Sequence, residues 1–330
     1  MQKNVDILEN DILAKHPDLL EVLLQNNTTG QNIFWATDNY QEYGKDYEFA
    51  KPILPSLITG KNGNIIMPRV KKTKDLQKSR SKGMAEVFTP SWVCNSQNNL
   101  IDNAWFEKEN VFNTETEKCW QTNENKITFP KNKTWQDYIK DTRLEITCGE
   151  APYLASRYDT TTGEFIEVKD RIGLLDRKLR VINENIEKSG KWLEMAQIAY
   201  QNIYGFEWQG DSLLLAREVL LFTFIENYQF KFGKEPDLGD IQIIAEIIAW
   251  NMWQMDGLKG VIPNSCKTQF EETEDIFGEI ETIETECEGC KKNDIHKHNG
   301  IYAIIKDWQA KDQKTGKVGK EIKFIELLKK

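Results

Sequence analysis

The chain has 330 residues, carries 52 acidic against 43 basic residues for a formal charge of −9, and is 39% hydrophobic and 11% aromatic. This composition suits a soluble globular protein with a sizeable core and excludes wholesale disorder. The negative balance excludes a wholly basic nucleic-acid coat, though not a local basic surface. The N-terminal stretch MQKNVDILENDILAKHPDLL holds no signal-peptide apolar run, and no segment reaches the ~18 apolar residues of a membrane span, so a cytoplasmic protein without a membrane partner is expected. The six cysteines of such a chain are expected as reduced thiols or metal ligands rather than a disulfide framework.

Taken in order, residues 1–84 form the first region. Ile7, Ile12, Leu13, Leu19, Leu20 and Leu23 recur at helical spacing, and NIFWAT is a short apolar run closed by Asp38-Asn39-Tyr40. ITGKNGNIIMP predicts a hairpin on its Asn-Gly turn. Residues 69–82 concentrate positive charge in Arg69, Lys71, Lys72, Lys74, Lys78, Arg80 and Lys82. Such a run is often only a solvated face, but it is also the residue type that meets phosphates.

Residues 85–263 have the character of an α/β core. AEVFTPSWVCNSQNNLIDNAWF predicts a loop entering a helix near Pro90, and residues 107–140 are polar and Asn-rich, as in an exposed insert. RLEIT predicts a strand, CGEAPYL a tight turn, residues 170–200 a long helical region, NIYGFEW a second strand and GDSLLLAREVLLFTFIENYQF an apolar helix. IQIIAEIIAWNMWQMDGL predicts a further helix and the edge of a third strand. This alternation implies a mostly parallel sheet with helices on both faces. Residues 264–300 are an acidic insertion that turns Cys/His-rich, and residues 301–330 carry two strand-like runs expected to complete the core.

The small-residue turn after RLEIT falls where open α/β sheets bind ligands, at the carboxyl ends of strands. Glu145 can neutralise a cationic amino-acid moiety, Glu207 can accept both hydroxyls of a ribose, and Asp256 can meet an adenine amino group. Each is alternatively a cap or a surface charge. In the acidic insertion, Cys266, Cys287, Cys290, His296 and His298 offer thiolate and imidazole ligands, four of which would make a structural zinc site; an exposed reduced loop is the alternative.

LEITCGEAPYL resembles the S-adenosylmethionine-binding first motif of amino-methylating DNA methyltransferases. Glu145 takes the place of its acid, Gly149 of its first glycine and Ala151 of its second, with Ile146 where that motif has proline. IYGFEWQGDSLLLARE is similar to the second motif and NMWQMDGL to the third, and Ala85-Glu-Val-Phe-Thr-Pro90 resembles the segment over the methionine end of the cofactor. In this combination and order the chain resembles the modification (M) subunits of bacterial restriction–modification systems. The resemblance implies a Rossmann-like methyltransferase core and adenine amino-group methylation in DNA. It also implies a cofactor site of Phe88, Thr89, Pro90, Glu145, Thr147, Cys148, Gly149, Ala151, Glu207, Trp208 and Asp256. One departure is plain: enzymes of this group carry a polar residue, Pro-Pro and an aromatic at the catalytic strand end, and this sequence has no Pro-Pro pair. Asp38-Asn39-Tyr40 as a permuted stand-in or an ordinary turn, an inactive scaffold, a second subunit supplying the motif, and methylation of RNA or protein all stay open.

Overall fold

The computed structural model of the chain describes residues 5–84, 89–274, 280–311, 316 and 318–328. Its helices of seven residues or more are α1 (Glu9–Lys15), α2 (Pro17–Leu24), α3 (Lys74–Met84), α4 (Ser91–Phe106), α5 (Leu174–Asn185), α6 (Ser189–Gln201), α7 (Gly210–Phe232) and α8 (Leu238–Asn251). Three short strands, β1 (Arg143–Glu145), β2 (Ile203–Glu207) and β3 (Met252–Gln254), pair in parallel in the spatial order β1-β2-β3. Parallel neighbours need long crossovers. Here α5 and α6 join β1 to β2, and α7 and α8 join β2 to β3. The fold is mixed α/β around a small parallel sheet.

Alternation along the strands assigns the two faces of the sheet. Leu144 lies opposite Tyr204 and Phe206 opposite Trp253, so these four share one face, while Glu145, Gly205 and Met252 share the other. Helix α7 packs on β2 and β3 and is buried through most of its length, from Gly210 to Leu221 and beyond. A helix apolar on nearly every side belongs in the middle of a core. The opposite face is covered by a separate antiparallel hairpin of β4 (Ile304–Lys311) and β5 (Val318–Lys323). Ala303, Ile305 and Phe324 there pack on Phe206, Trp253 and Met255. These C-terminal strands therefore form their own ladder beside the parallel sheet rather than extending it. Beyond β3, the side-chain amide of Gln254 bonds both the N–H and the carbonyl of Phe34, at 3.1 and 2.8 Å, which binds the N-terminal NIFWAT segment there.

Three local expectations are revised. The Asn-Gly segment is a single 3-10 turn at Gly60–Asn62 with no flanking strands. The helical region before β2 is two helices, broken between Asn185 and Ser189. Residues 107–140 contain a hairpin, Asn113–Thr116 with Cys119–Thr122, and a capped helix, Trp135–Lys140; Phe112, Ile127, Tyr138 and Ile139 are buried in the main core. The polar majority of that stretch hid these apolar residues, and Val111 with them, at irregular spacing. No helix among the described residues is long and apolar enough to cross a membrane.

Candidate functional site

The turn after β1 is held in an unusual backbone. Thr147, Gly149 and Ala151 all have positive φ, +45°, +54° and +57°. Glycine adopts this region freely, whereas a non-glycine residue there costs about 1–3 kcal/mol and persists only where its surroundings enforce it. The enforcing bonds are present. Cys148 donates its N–H to the Phe206 carbonyl at 2.9 Å, and Gly149 donates to the Glu207 carboxylate at 2.9 Å. Tyr153 and Leu154 donate to the two oxygens of Glu145 at 3.4 and 3.2 Å. The other oxygen of Glu207 accepts from Trp208 and Gln209, at 2.8 and 3.2 Å.

Both carboxylates are buried. Burial raises the pKa of Glu145 well above the ordinary carboxylate range; the N–H groups of Tyr153 and Leu154 pull against it, and the charge of Glu207 adds to it. Burial raises Glu207 too, against its three backbone donors. Cys148 is buried beside them, and burial followed by the two carboxylates keeps its thiol protonated and unreactive.

Thr89 joins this group, while Phe88 lies outside the described residues. The Thr89 carbonyl accepts from the Thr160 hydroxyl at 3.1 Å and from the Cys94 thiol at 3.7 Å. Burial raises the pKa of the Tyr153 phenol, and the Thr89 side chain pulls it down less strongly. Burial and then the charge of Glu145 push the Cys94 thiol up to about 12. Pro90 precedes the first turn of α4. Thr89, Glu145, Gly149 and Glu207 thus meet around one turn. Asp256 reaches it only through its neighbour, since Met255 donates its N–H to the Glu207 carbonyl. Its carboxylate curls into its own turn, accepting from Leu258 and Lys259 at 3.0 and 3.3 Å, with the Lys259 ammonium at 3.7 Å. Trp208 donates its indole N–H to the Ala36 carbonyl at 3.0 Å. A cavity of about 310 Å³ lies on the other face of the sheet, between Leu144, Tyr204 and Trp253 and the C-terminal hairpin, and none of the three acids lines it.

The basic segment divides. Lys72 and Arg80 point inward to Asp211, at 3.6 and 2.8 Å, and Arg80 also bonds Gln209. Asp211 is fully buried; burial raises its pKa, but Arg80 and Lys72 outweigh that and hold it at about 2. Lys71 pairs with Asp6, Arg69 bonds Glu150 and Ser81, Lys74 and Lys78 are exposed, and Lys82 lies on α3 with them. Residues 38–40 form a turn in which Gln41 bonds the Asp38 carboxylate and Asn39 bonds the Thr37 hydroxyl. The Tyr40 ring packs on Trp35 with centroids 4.7 Å apart, and its hydroxyl donates to Asp211 at 2.6 Å. Two residues expected at phosphates, Lys72 and Arg80, and one from the candidate catalytic stand-in, Tyr40, therefore share a buried acid, Asp211, that was not among the expected site residues. The signal was there: Asp211, Arg217 and Glu218 are the only charges in the mainly apolar stretch Gly210–Leu221 of that helix.

Near the C-terminus, Cys266, Cys287, Cys290 and His298 converge, with all four ligand atoms within 4.8 Å of one another. The three sulfurs lie 3.5, 3.6 and 3.6 Å from His298 Nδ1. Bonds of about 2.3 Å to sulfur and 2.0–2.1 Å to nitrogen at tetrahedral angles give S···N edges of about 3.5 Å. The Cys287 sulfur accepts the Asn299 N–H at 3.2 Å, and Gly289 leaves room that a Cβ would fill, 2.6–2.7 Å from His298. This cluster could bind a structural metal ion. His296 is outside it, its N–H turned to Asp294. Compared with family models, curated proteins and solved structures, the chain matches none.

Proposed function

We propose that the chain is an S-adenosylmethionine-binding subunit of a DNA methyltransferase, with adenine amino groups as the target class and one structural Zn²⁺ at the Cys3His cluster. The sheet would then be the first half of a Rossmann-like core. The observation that carries this reading is the strained turn after β1, with buried Glu145 and Glu207 on adjacent parallel strand ends bracketing it. Stored backbone strain of this kind concentrates at ligand sites.

Free acceptor positions on the two acids support this reading. A carboxylate offers about four lone-pair positions. Glu207 uses three on backbone N–H groups and Glu145 two, which leaves acceptors for a ribose hydroxyl and an ammonium group. When bound, the cofactor would supply an electrophilic methyl group; the chain would bind, orient and exclude water, with Thr89 and Tyr153 bordering the same turn. Lys74 and Lys78 are exposed charges that would meet phosphates. Incubation with tritiated S-adenosylmethionine and duplex DNA tests the reading, and label in adenine is the expected result.

A second reading, a cofactor-binding subunit without its own transfer chemistry, is favoured by the missing Pro-Pro and by the engagement of Tyr40 with Asp211. Binding without label in DNA would select it, and absence of binding would overturn both.

A further inference from the structure

We propose that the metal at Cys266, Cys287, Cys290 and His298 is the device that positions the Asp256 turn, and so ties the third strand-end acid to metal occupancy. A continuous run of bonds connects the two. Cys266 directly follows Ser265, whose hydroxyl accepts the Ile301 N–H at 3.0 Å, and the Ile262 N–H donates to the Ile301 carbonyl at 2.8 Å. The Ala303 N–H donates to Gly260 at 3.0 Å, and Val261 bridges Tyr302. The Asp256 N–H donates to the Val261 carbonyl at 2.8 Å. From the metal side, the His298 N–H donates to the Tyr302 hydroxyl at 2.8 Å, and Asn299 bonds Lys267 through both its amide atoms, at 3.0 and 2.7 Å. Residues 256–267 and 298–303 therefore form one narrow ladder with the Cys3His cluster at one end and Asp256 at the other.

Few apolar side chains of the ladder are buried, chiefly Val261, Ile262 and Ala303. A segment with so little to bury draws its order from the ion, since metal binding and folding share one free energy. A metal bound by three thiolates and one imidazole, at the spacings given above, is tetrahedral Zn²⁺ or its spectroscopic substitute Co²⁺. The chelated excursion 267–286 would be closed at its root, and the parallel sheet would stand without it.

The test uses the full chain. Elemental analysis is expected to give one zinc per chain, and Co²⁺ substitution to give the absorption of tetrahedral thiolate coordination. Removing the metal is expected to speed hydrogen exchange at Asp256, Ile262, Asn299 and Ala303 by about tenfold or more, as in local unfolding, and to leave Cys148 and Gly149 unchanged. Cys290→Ser removes a ligand outright. Gly289→Ala, which crowds His298 without removing one, is the variant to use if that chain fails to fold, and should weaken zinc by about 10- to 100-fold, as changes around ligands do. His296→Ala should leave the zinc content unchanged. Absence of stoichiometric metal, or metal release with no change in exchange at 256–262, overturns the inference. The link to cofactor affinity rests on the function proposed above and is read separately: if the zinc-loaded chain fails to bind S-adenosylmethionine while exchange still follows the metal, that function falls and the coupling stands.

Discussion

The carboxylate of Glu207, at the end of one strand, accepts the N–H of Gly149, in the turn after its neighbour, at 2.9 Å. That bond crosses 58 positions of sequence and sets the shape of the turn. Because Glu207 also accepts from Trp208 and Gln209, Glu207→Ala would leave three backbone donors without their acceptor. An unsatisfied buried donor costs about 1–3 kcal/mol, so a loss of at least that size is expected in urea unfolding, together with loss of S-adenosylmethionine binding by calorimetry.

Thr147 is β-branched, exposed and at φ +45°. Thr147→Gly relieves that backbone and is expected to raise stability by about 1 kcal/mol despite glycine's extra freedom when unfolded. A differential scanning measurement reads it as a higher Tm; a lower one would mean the turn is not strained.

The basic segment should separate into two classes. Arg80→Met leaves Asp211 buried with weakened compensation, and breaking a buried pair costs about 3–5 kcal/mol. Lys74→Glu with Lys78→Glu, both on the surface, should leave Tm nearly unchanged while weakening DNA binding and flattening its salt dependence. Filter binding at several salt concentrations, beside thermal melts, distinguishes them.

Glu218 is buried with neither carboxylate oxygen hydrogen-bonded, and Glu9 is buried with one oxygen likewise unbonded. Burial raises both pKa values, Glu9 to about 8 from an ordinary 4.5. Between those values the unfolded chain has released the Glu9 proton and the folded chain has kept it. Stability therefore falls as pH rises through that window. Urea midpoints should decline from pH 5 to pH 8, and Glu218→Gln, which cannot ionise, should reduce the decline.

What was legible in the sequence was local. The three strand ends and the helices between them show in periodicity and in turn residues, and the Cys-x2-Cys knuckle with a nearby histidine points to its own chemistry. The choice of His298 over His296 was not legible, because it depends on which ring faces Cys266 across 32 positions. The partners of Asp211 were hidden for the same reason: Tyr40 lies 171 positions away and Gln209, on the same network, 129 from Arg80. Arg217 is a further case. It is fully buried on α7 and donates to the carbonyls of Leu23, Gln25, Ala249 and Met252, closing the ends of α2 and α8, partners that lie up to 194 positions away. The apolar pattern of a helix says that it is buried, but not which carbonyls its rare charges will find.

The most direct measurement is calorimetric titration of the zinc-loaded chain with S-adenosylmethionine, beside Glu145→Gln and Glu207→Ala. One cofactor per wild-type chain, with affinity reduced at least about tenfold in each variant (roughly 1.4 kcal/mol), is the predicted result. No heat from the folded wild-type chain, or equal binding by all three, would contradict the claim that these two strand ends form a cofactor site.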